Sequence, residues 1–370
     1  TPTHPVATLA AMTAPPASPT MDQLIEALWR AGGTDLHISG GMVPKIRIEG
    51  QLQDLAGAPR LLPDQIDHLL AQILPADQLD FCRSGQGDLD FSFGWRRTAR
   101  IRGNLFRQRN SLAVAMRLMP QEIPTFDQLR LPESVRRFAQ ASQGLVLVSG
   151  PTGSGKSTTL ASMIAWIAAN QAKHVITIED PIEYVHRHGR SVVNQRAVGE
   201  DAPSFPEALR SALREDPDVL LVGELRDLES IRVALTLAET GHLVFGTVHT
   251  NDAVQSIDRL VDVFPGDEQS QIRTQLGLSL TGVVYQRLLP RVGGGVVPAF
   301  EVMVVDSSLR NLIREGRTSQ MRNQLLVGQA AGMMTLEQSL SELVQAGLVT
   351  HQDAVARSRH PADISRRRAY

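Results

Sequence analysis

Residues 150 to 157 read Gly150-Pro151-Thr152-Gly153-Ser154-Gly155-Lys156-Ser157, which is the spacing G-x-x-x-x-G-K-[ST] of a phosphate-binding loop. The loop needs a particular setting, a buried strand before it and a helix after it, and the neighbouring residues supply both. Residues 144 to 149 form a short, continuously apolar run suited to a parallel strand, and residues 157 to 170 read as a helix rich in Ala, Ile and Met. Glycines let the backbone close around phosphate oxygens, while loop amides and the helix N-terminus offer donors and positive dipole. Lys156 adds a point charge for β- and γ-phosphates, Ser157 is placed to hold Mg2+, and Thr158 continues the contact surface.

Composition excludes several alternatives. The chain has 370 residues, 42% of them hydrophobic and 21% charged, enough for two globular domains with their own cores. A net charge of −2 argues against a general nucleic-acid binder, as does an aromatic content of 4%. Of 37 basic residues only Lys45, Lys156 and Lys173 are lysine, so the positive charge is carried by arginine, the better group for forked contacts to phosphate. The single cysteine, Cys82, leaves no intrachain disulfide and no multi-cysteine zinc site; a small buried hydrophobe is its simplest role. No apolar run reaches membrane-spanning length, and a cytoplasmic protein is expected.

Along the chain, residues 1 to 20 are rich in Thr, Pro and Ala and read as a disordered leader, with Met21 as an expected start of translation. Residues 21 to 120 interleave helices and strands without a βαβ rhythm, which predicts a small antiparallel α+β domain. Strands are expected at 35–38, 45–49, 88–93, 99–109 and 112–119, and helices at 63–74 and 76–83. The proline-punctuated stretch 121–132 reads as a linker. From Gly144 the order becomes strand, helix, strand, with apolar runs at 174–178, 219–222 and 243–248 expected to form a parallel sheet. After Asp267 the chain is expected to be mainly helical as far as residue 360, with residues 361–370, including Arg366, Arg367 and Arg368, as a solvated tail.

Phosphoryl transfer requires positioned charge, a metal and a group that orients water. The run from Asp216 to Glu224 is an apolar strand ending in an acid, which fits Glu224 at the metal and water. The strand before Glu179 and Asp180 reaches the same sheet edge, so either Glu179 or Glu224 is a candidate base. His242 and His249 bracket a further strand, and an imidazole there suits a sensor of the γ-phosphate. Arg96, Arg97, Arg100, Arg102, Arg107, Arg109 and Arg117 lie mostly on first-domain strands. Arg100 and Arg102 share a face; a solvated basic face, a set of fingers toward a nucleotide and a nucleic-acid surface all remain open for them.

Taken together, residues 35–39, 150–158, 177–183, 208–218, 223–227 and 238–249 resemble the secretion and type IV pilus ATPases, most closely the retraction branch, over nearly the whole chain from residue 21 to 357. The resemblance implies an α/β fold with a RecA-like P-loop ATPase core (133–360) and an N-terminal PAS-like α+β domain (21–120), assembled as a homo-hexamer that uses ATP and Mg2+. It maps Glu179 to an acidic box, Glu224 to the Walker B strand, His242 and His249 to a histidine box, and Arg100, Arg102 and Arg117 to arginines near the nucleotide or subunit boundary. Assembly and secretion members generally carry a four-cysteine zinc insertion, whereas here Tyr285 runs through Gly293 to Glu301 without cysteine, which favours retraction and implies no zinc. The expected partners are an inner-membrane platform protein and a second retraction ATPase at the inner face of the cytoplasmic membrane. Residues 308–315 resemble the retraction branch's C-terminal helix. The alternatives are an assembly or secretion motor of the same fold, a nucleic-acid-translocating ring ATPase and a non-hydrolysing nucleotide-dependent module.

Overall fold

The computed structural model describes residues 19–48, 50–96, 99–119 and 122–365. The chain divides into two compact units, Thr1–Gln121 and Glu122–Tyr370. Residues 1–18 of the expected leader, Arg97, and Arg366 to Arg368 of the expected tail lie outside the described residues.

The first unit contains α1 (Met21–Arg30), β1 (Asp35–Ile38), β2 (Lys45–Ile48), β3 (Gln51–Asp54), α2 (Pro63–Leu70), α3 (Ala76–Arg83), β4 (Leu89–Trp95), β5 (Ala99–Gln108) and β6 (Ser111–Met119). Thr20 starts α1 with a capping box, its hydroxyl accepting from the Gln23 amide and the Gln23 side chain answering the Thr20 amide. The strands form one antiparallel sheet in the order β3-β2-β1-β6-β5-β4. Alternation sends Leu36, Ile38, Ile101, Leu105 and Met116 into a core shared with Leu24, Leu28, Ile66 and Leu70 of the helices. Between those positions Arg47, Asp35, Arg117, Arg102 and Ser92 stand opposite one another in register, a polar row across five strands. β3 was not expected, because none of Gln51 to Asp54 is buried and a fully exposed edge strand shows no apolar alternation.

The second unit comprises α4 (Glu133–Ala139), β7 (Gly144–Ser149), α5 (Lys156–Asn170), β8 (His174–Glu179), β9 (Val192–Ala197), α6 (Phe205–Ala212), β10 (Val219–Val222), α7 (Leu228–Glu239), β11 (Leu243–Val248) and α8 (Ala253–Val261). It continues with α9 (Gln269–Ser279), β12 (Leu280–Pro290), β13 (Val296–Val304), α10 (Ser307–Arg314), α11 (Met321–Val327), α12 (Leu336–Gln345) and α13 (His351–Arg357). Seven strands order as β13-β12-β7-β11-β10-β8-β9, all neighbours parallel except the β12–β13 hairpin. Both faces are covered. On β7, Leu145 and Leu147 bury with Ile231, Leu235 and Ile257, whereas Val146 and Val148 bury with Phe138, Ile164 and Ile167.

Three expectations are corrected. The chain after Asp267 carries more helix than strand, as expected, but the expectation left out β12 and β13, a long hairpin whose burial comes from both faces and hides the period-two pattern. The stretch read as a linker packs into the second unit: Phe126 is 5% exposed and meets Trp166 with ring centroids 6.2 Å apart. The expected tail is docked as far as Ser365, with Ile364 buried, Asp363 paired to Arg322 and the Ser365 amide donating to Ser341 Oγ at 2.9 Å.

Candidate nucleotide site

Sheet register assembles the site. Ser149 lies opposite Val248, Val222 opposite Gly246 and Ile178 opposite Val222, so β7, β11, β10 and β8 end along one carboxyl edge. Gly150, His249 and Gly223-Glu224, which follow their strands, and Glu179, the last residue of β8, therefore lie side by side along that edge. A cleft of about 740 Å3 opens there, lined among others by Lys156, Ser157, Thr158, Glu179, Glu224 and His249.

The loop itself is shaped by its glycines. Gly150 and Gly155 have φ of 144° and 89°, and a Cβ at these positions would approach the Gln286 carbonyl oxygen to 2.3 Å and the Gln286 Nε2 to 2.7 Å. Gln286 is itself held, its Oε1 accepting from Thr159 Oγ1 at 2.6 Å. Lys156 is buried, and its Nζ donates to the carbonyls of Gly150 at 2.9 Å and Pro151 at 3.1 Å. Burial lowers the ammonium's pKa, and the carboxylates of Glu224 and Glu183 oppose that shift. Ser154 Oγ is buried without a hydrogen-bond partner among the described residues. An orphaned hydroxyl beside a cradle that a Cβ would fill fits the oxygen atoms of a phosphate chain.

The acids arrive by different routes. Gly223 permits a close crossing, since its amide donates to the Ile178 carbonyl at 2.7 Å and a Cβ there would lie 3.2 Å from Glu179 Cα. Glu224 Oε1 then sits 3.1 Å from Arg226 Nε and 3.7 Å from His249 Nε2. Burial, followed by the Lys156 charge, pushes the His249 imidazole below its ordinary range while Glu224 pulls the other way, so the ring is held toward its neutral form. Glu179 is raised by burial, and its Oε1 accepts from Thr177 Oγ1 at 2.7 Å and Gln195 Nε2 at 3.1 Å.

A family model, the type II/IV secretion system protein, matches residues 85–356. The chain belongs to this family. It is 45% identical over 336 residues to the type IV pilus retraction ATPase PilT of Pseudomonas aeruginosa, covering 90% of this chain and 97% of that protein. It is 42% identical over 323 residues to a twitching motility protein of Neisseria gonorrhoeae, covering 87% and 86%. A crystal structure of the pilus retraction motor PilT with bound ADP superposes with a TM-score of 0.88 at 46% identity, covering 94% of this chain and 99% of that one. The second unit is accordingly the RecA-like core of a secretion-family ATPase, and the first its PAS-like N-terminal domain.

Not every expected residue of this secretion-family chain joins the cleft. His242 precedes β11, at the amino edge of the sheet, and a strand of six residues separates it from the loop edge, a distance of about 20 Å. There its Nδ1 meets the Leu237 carbonyl at 3.0 Å and Thr240 Oγ1 at 3.2 Å, closing the end of α7. Arg100, Arg102 and Arg117 belong to the first unit. Arg117 Nε donates to buried Asp35 at 2.7 Å, Arg102 lies opposite Arg117, and Arg100 reaches Ser92 Oγ. Arg96 is occupied by Asp22 and Glu26, and Arg107 reaches Asn110 at the β5–β6 turn.

Other residues were missed. Glu183, Tyr184, His186 and Arg226 also line the cleft. Glu183 and Arg226 stand inside the motif runs 177–183 and 223–227, so their proximity to Glu179 and Glu224 in sequence was the available signal. Gln195 and Gln286 gave none, because each lies on a strand that periodicity did not reveal. Among the described residues no helix is long and apolar enough to cross a membrane.

Proposed function

We propose that this chain is the ATP-hydrolysing subunit of a motor that powers type IV pilus retraction. One observation carries the reading: Lys156 of the phosphate-binding loop after β7 and Glu224, His249 and Glu179 from the ends of β10, β11 and β8 line one cleft. The near-full-length likeness to a retraction ATPase and to a twitching motility protein supports the choice of retraction over assembly.

In this reading the loop amides and Lys156 hold the phosphates, with Lys156 exchanging the Gly150 and Pro151 carbonyls for phosphate oxygens. Ser157 and Glu224 are the residues suited to Mg2+, which when bound neutralises charge on the transferring phosphoryl group. Glu224 lies beside His249, a pairing suited to orienting water and reporting the γ-phosphate, while Glu179 supplies the second acid of the edge. Arg100, Arg102 and Arg117 are proposed as cations toward nucleotide in a homo-hexamer; Arg102 and Arg117 stand directly opposite each other, with Asp35 on the far side of Arg117 answering part of that charge. A platform protein at the inner face of the membrane and a second retraction ATPase complete the proposed assembly.

Cells provide the test. Deleting the gene is expected to leave many immobile pili; bald cells would overturn retraction in favour of assembly. The purified protein is expected to hydrolyse ATP without DNA, and turnover that requires DNA would replace the reading with a nucleic-acid motor.

A further inference from the structure

The segment that carries Glu183 into the cleft is pinned by one side chain outside it. Gln195, half-buried on β9, donates from Nε2 to Glu179 Oε1 at 3.1 Å and to the Tyr184 carbonyl at 2.8 Å. Its Oε1 accepts the His186 amide at 2.7 Å. The Glu179 carboxylate in turn takes the Thr177 hydroxyl at 2.7 Å. Residues 184 and 186 are thus held at two backbone points by one side chain, while the side chain of Glu183 is left to line the cleft with Lys156. Only a primary amide on a two-carbon stem meets both demands at this site, because it must donate to two oxygens and accept from one amide at the same time.

We propose that Gln195 is a positioning residue for ATP hydrolysis, which with Glu179 sets the backbone of residues 183 to 186 so that the Glu183 carboxylate faces the phosphate end of the cleft. The inference rests on the ATPase reading of that cleft. It gives Glu179 a use apart from contact with substrate: its Oε1 takes two donors, Thr177 and the same Gln195 amide that holds Tyr184 and His186.

The test uses the full chain and steady-state ATP turnover. Gln195→Met keeps length and shape but removes both donor and acceptor. It is expected to lower kcat about 10- to 100-fold, the scale on which small displacements of a reacting group act, with KM for ATP unchanged. In a Glu183→Gln background the same substitution is expected to add no further loss, since the group it positions is already gone. Gln195→Glu is the second variant: it retains the acceptor for the His186 amide but sets a carboxylate against Glu179, and the same kcat-selective loss is expected. Native kcat in either Gln195 variant, losses that multiply in the Glu183→Gln background, a rise in KM equal to the loss in kcat, or failure of both variants to fold would each overturn the proposal. So would native turnover in Glu183→Gln alone. Native turnover in Lys156→Ala would instead remove the ATPase reading beneath it.

Discussion

The hydroxyl of Tyr184 lies 2.9 Å from Thr158 Oγ1, which joins the acidic segment after β8 to the first turn of the phosphate-loop helix. Both groups are partly buried, and burial raises the phenol above its ordinary range. Tyr184→Phe removes one neutral hydrogen bond, about 1 kcal/mol, and leaves the ring in place. Amide exchange over residues 182–186 is therefore expected to accelerate roughly 5-fold, with exchange in β7 and β11 unchanged. Equal exchange in the two proteins would mean that the bond does not hold the segment.

Two glycines of one loop are expected to respond differently to alanine. At Gly150 a Cβ would press on the Gln286 carbonyl oxygen, which β12 holds in the sheet, and the φ of 144° is closed to alanine. Gly150→Ala is expected to cost more than about 2 kcal/mol of stability and to abolish nucleotide binding. Gly153 has a φ of 75° but, among the described residues, nothing within 4 Å of the position of a Cβ, so Gly153→Ala is expected to cost only about 1 kcal/mol. Urea unfolding of both variants checks the order, and equal losses would show that backbone angle, not the Gln286 contact, governs this loop.

What the sequence revealed and what it concealed follow from the same physics. The carboxyl-edge cluster of Gly150, Glu179, Glu224 and His249 was legible because apolar runs mark buried parallel strands and each of these residues stands at the end of one or within two residues of it. His242 was misleading for the complementary reason: a residue bracketing a strand stands at either edge, and only the parallel register of Leu243 with Gly144 places it away from the loop. Gln195 and Gln286 could not be found, since their importance lies in partners that are distant in sequence, Tyr184 and Thr159 among them. The hairpin of β12 and β13 was hidden because residues such as Val283, Val284 and Tyr285 are buried in succession, which removes alternation.

Lys156 and Glu224 should separate binding from turnover. Lys156 supplies the buried cation of the loop, and a charge-assisted contact to phosphate contributes about 1.5–3 kcal/mol, so Lys156→Ala is expected to weaken ATP binding roughly 10- to 100-fold. Glu224→Gln keeps shape and hydrogen-bonding capacity toward Arg226 while removing the charge. It is expected to bind ATP normally and to lose at least about 100-fold in turnover. Fluorescent-nucleotide titration beside a phosphate-release assay makes the distinction, and a Glu224→Gln protein that hydrolyses ATP at the native rate would exclude that carboxylate from the chemistry.

Glu301, on β13, is 5% exposed and accepts the Ala253 amide at the start of α8, at 2.8 Å, and the Leu336 amide at the start of α12, at 3.5 Å. Burial is the main cause that raises its pKa to about 7, with Asp252 and Glu337 adding repulsion against the lowering effect of the two amides. Because the folded form holds the proton more tightly than the unfolded chain, the stabilisation is present at acidic pH and is lost as pH rises from about 4.5 to about 7. Glu301→Gln lacks this titration. The stability difference between wild type and variant is expected to shift in favour of the variant by roughly 2–3 kcal/mol between pH 5 and pH 8, read from urea unfolding at the two values. A difference that is the same at both would show that the buried carboxyl group is already ionised at pH 5 in the folded protein.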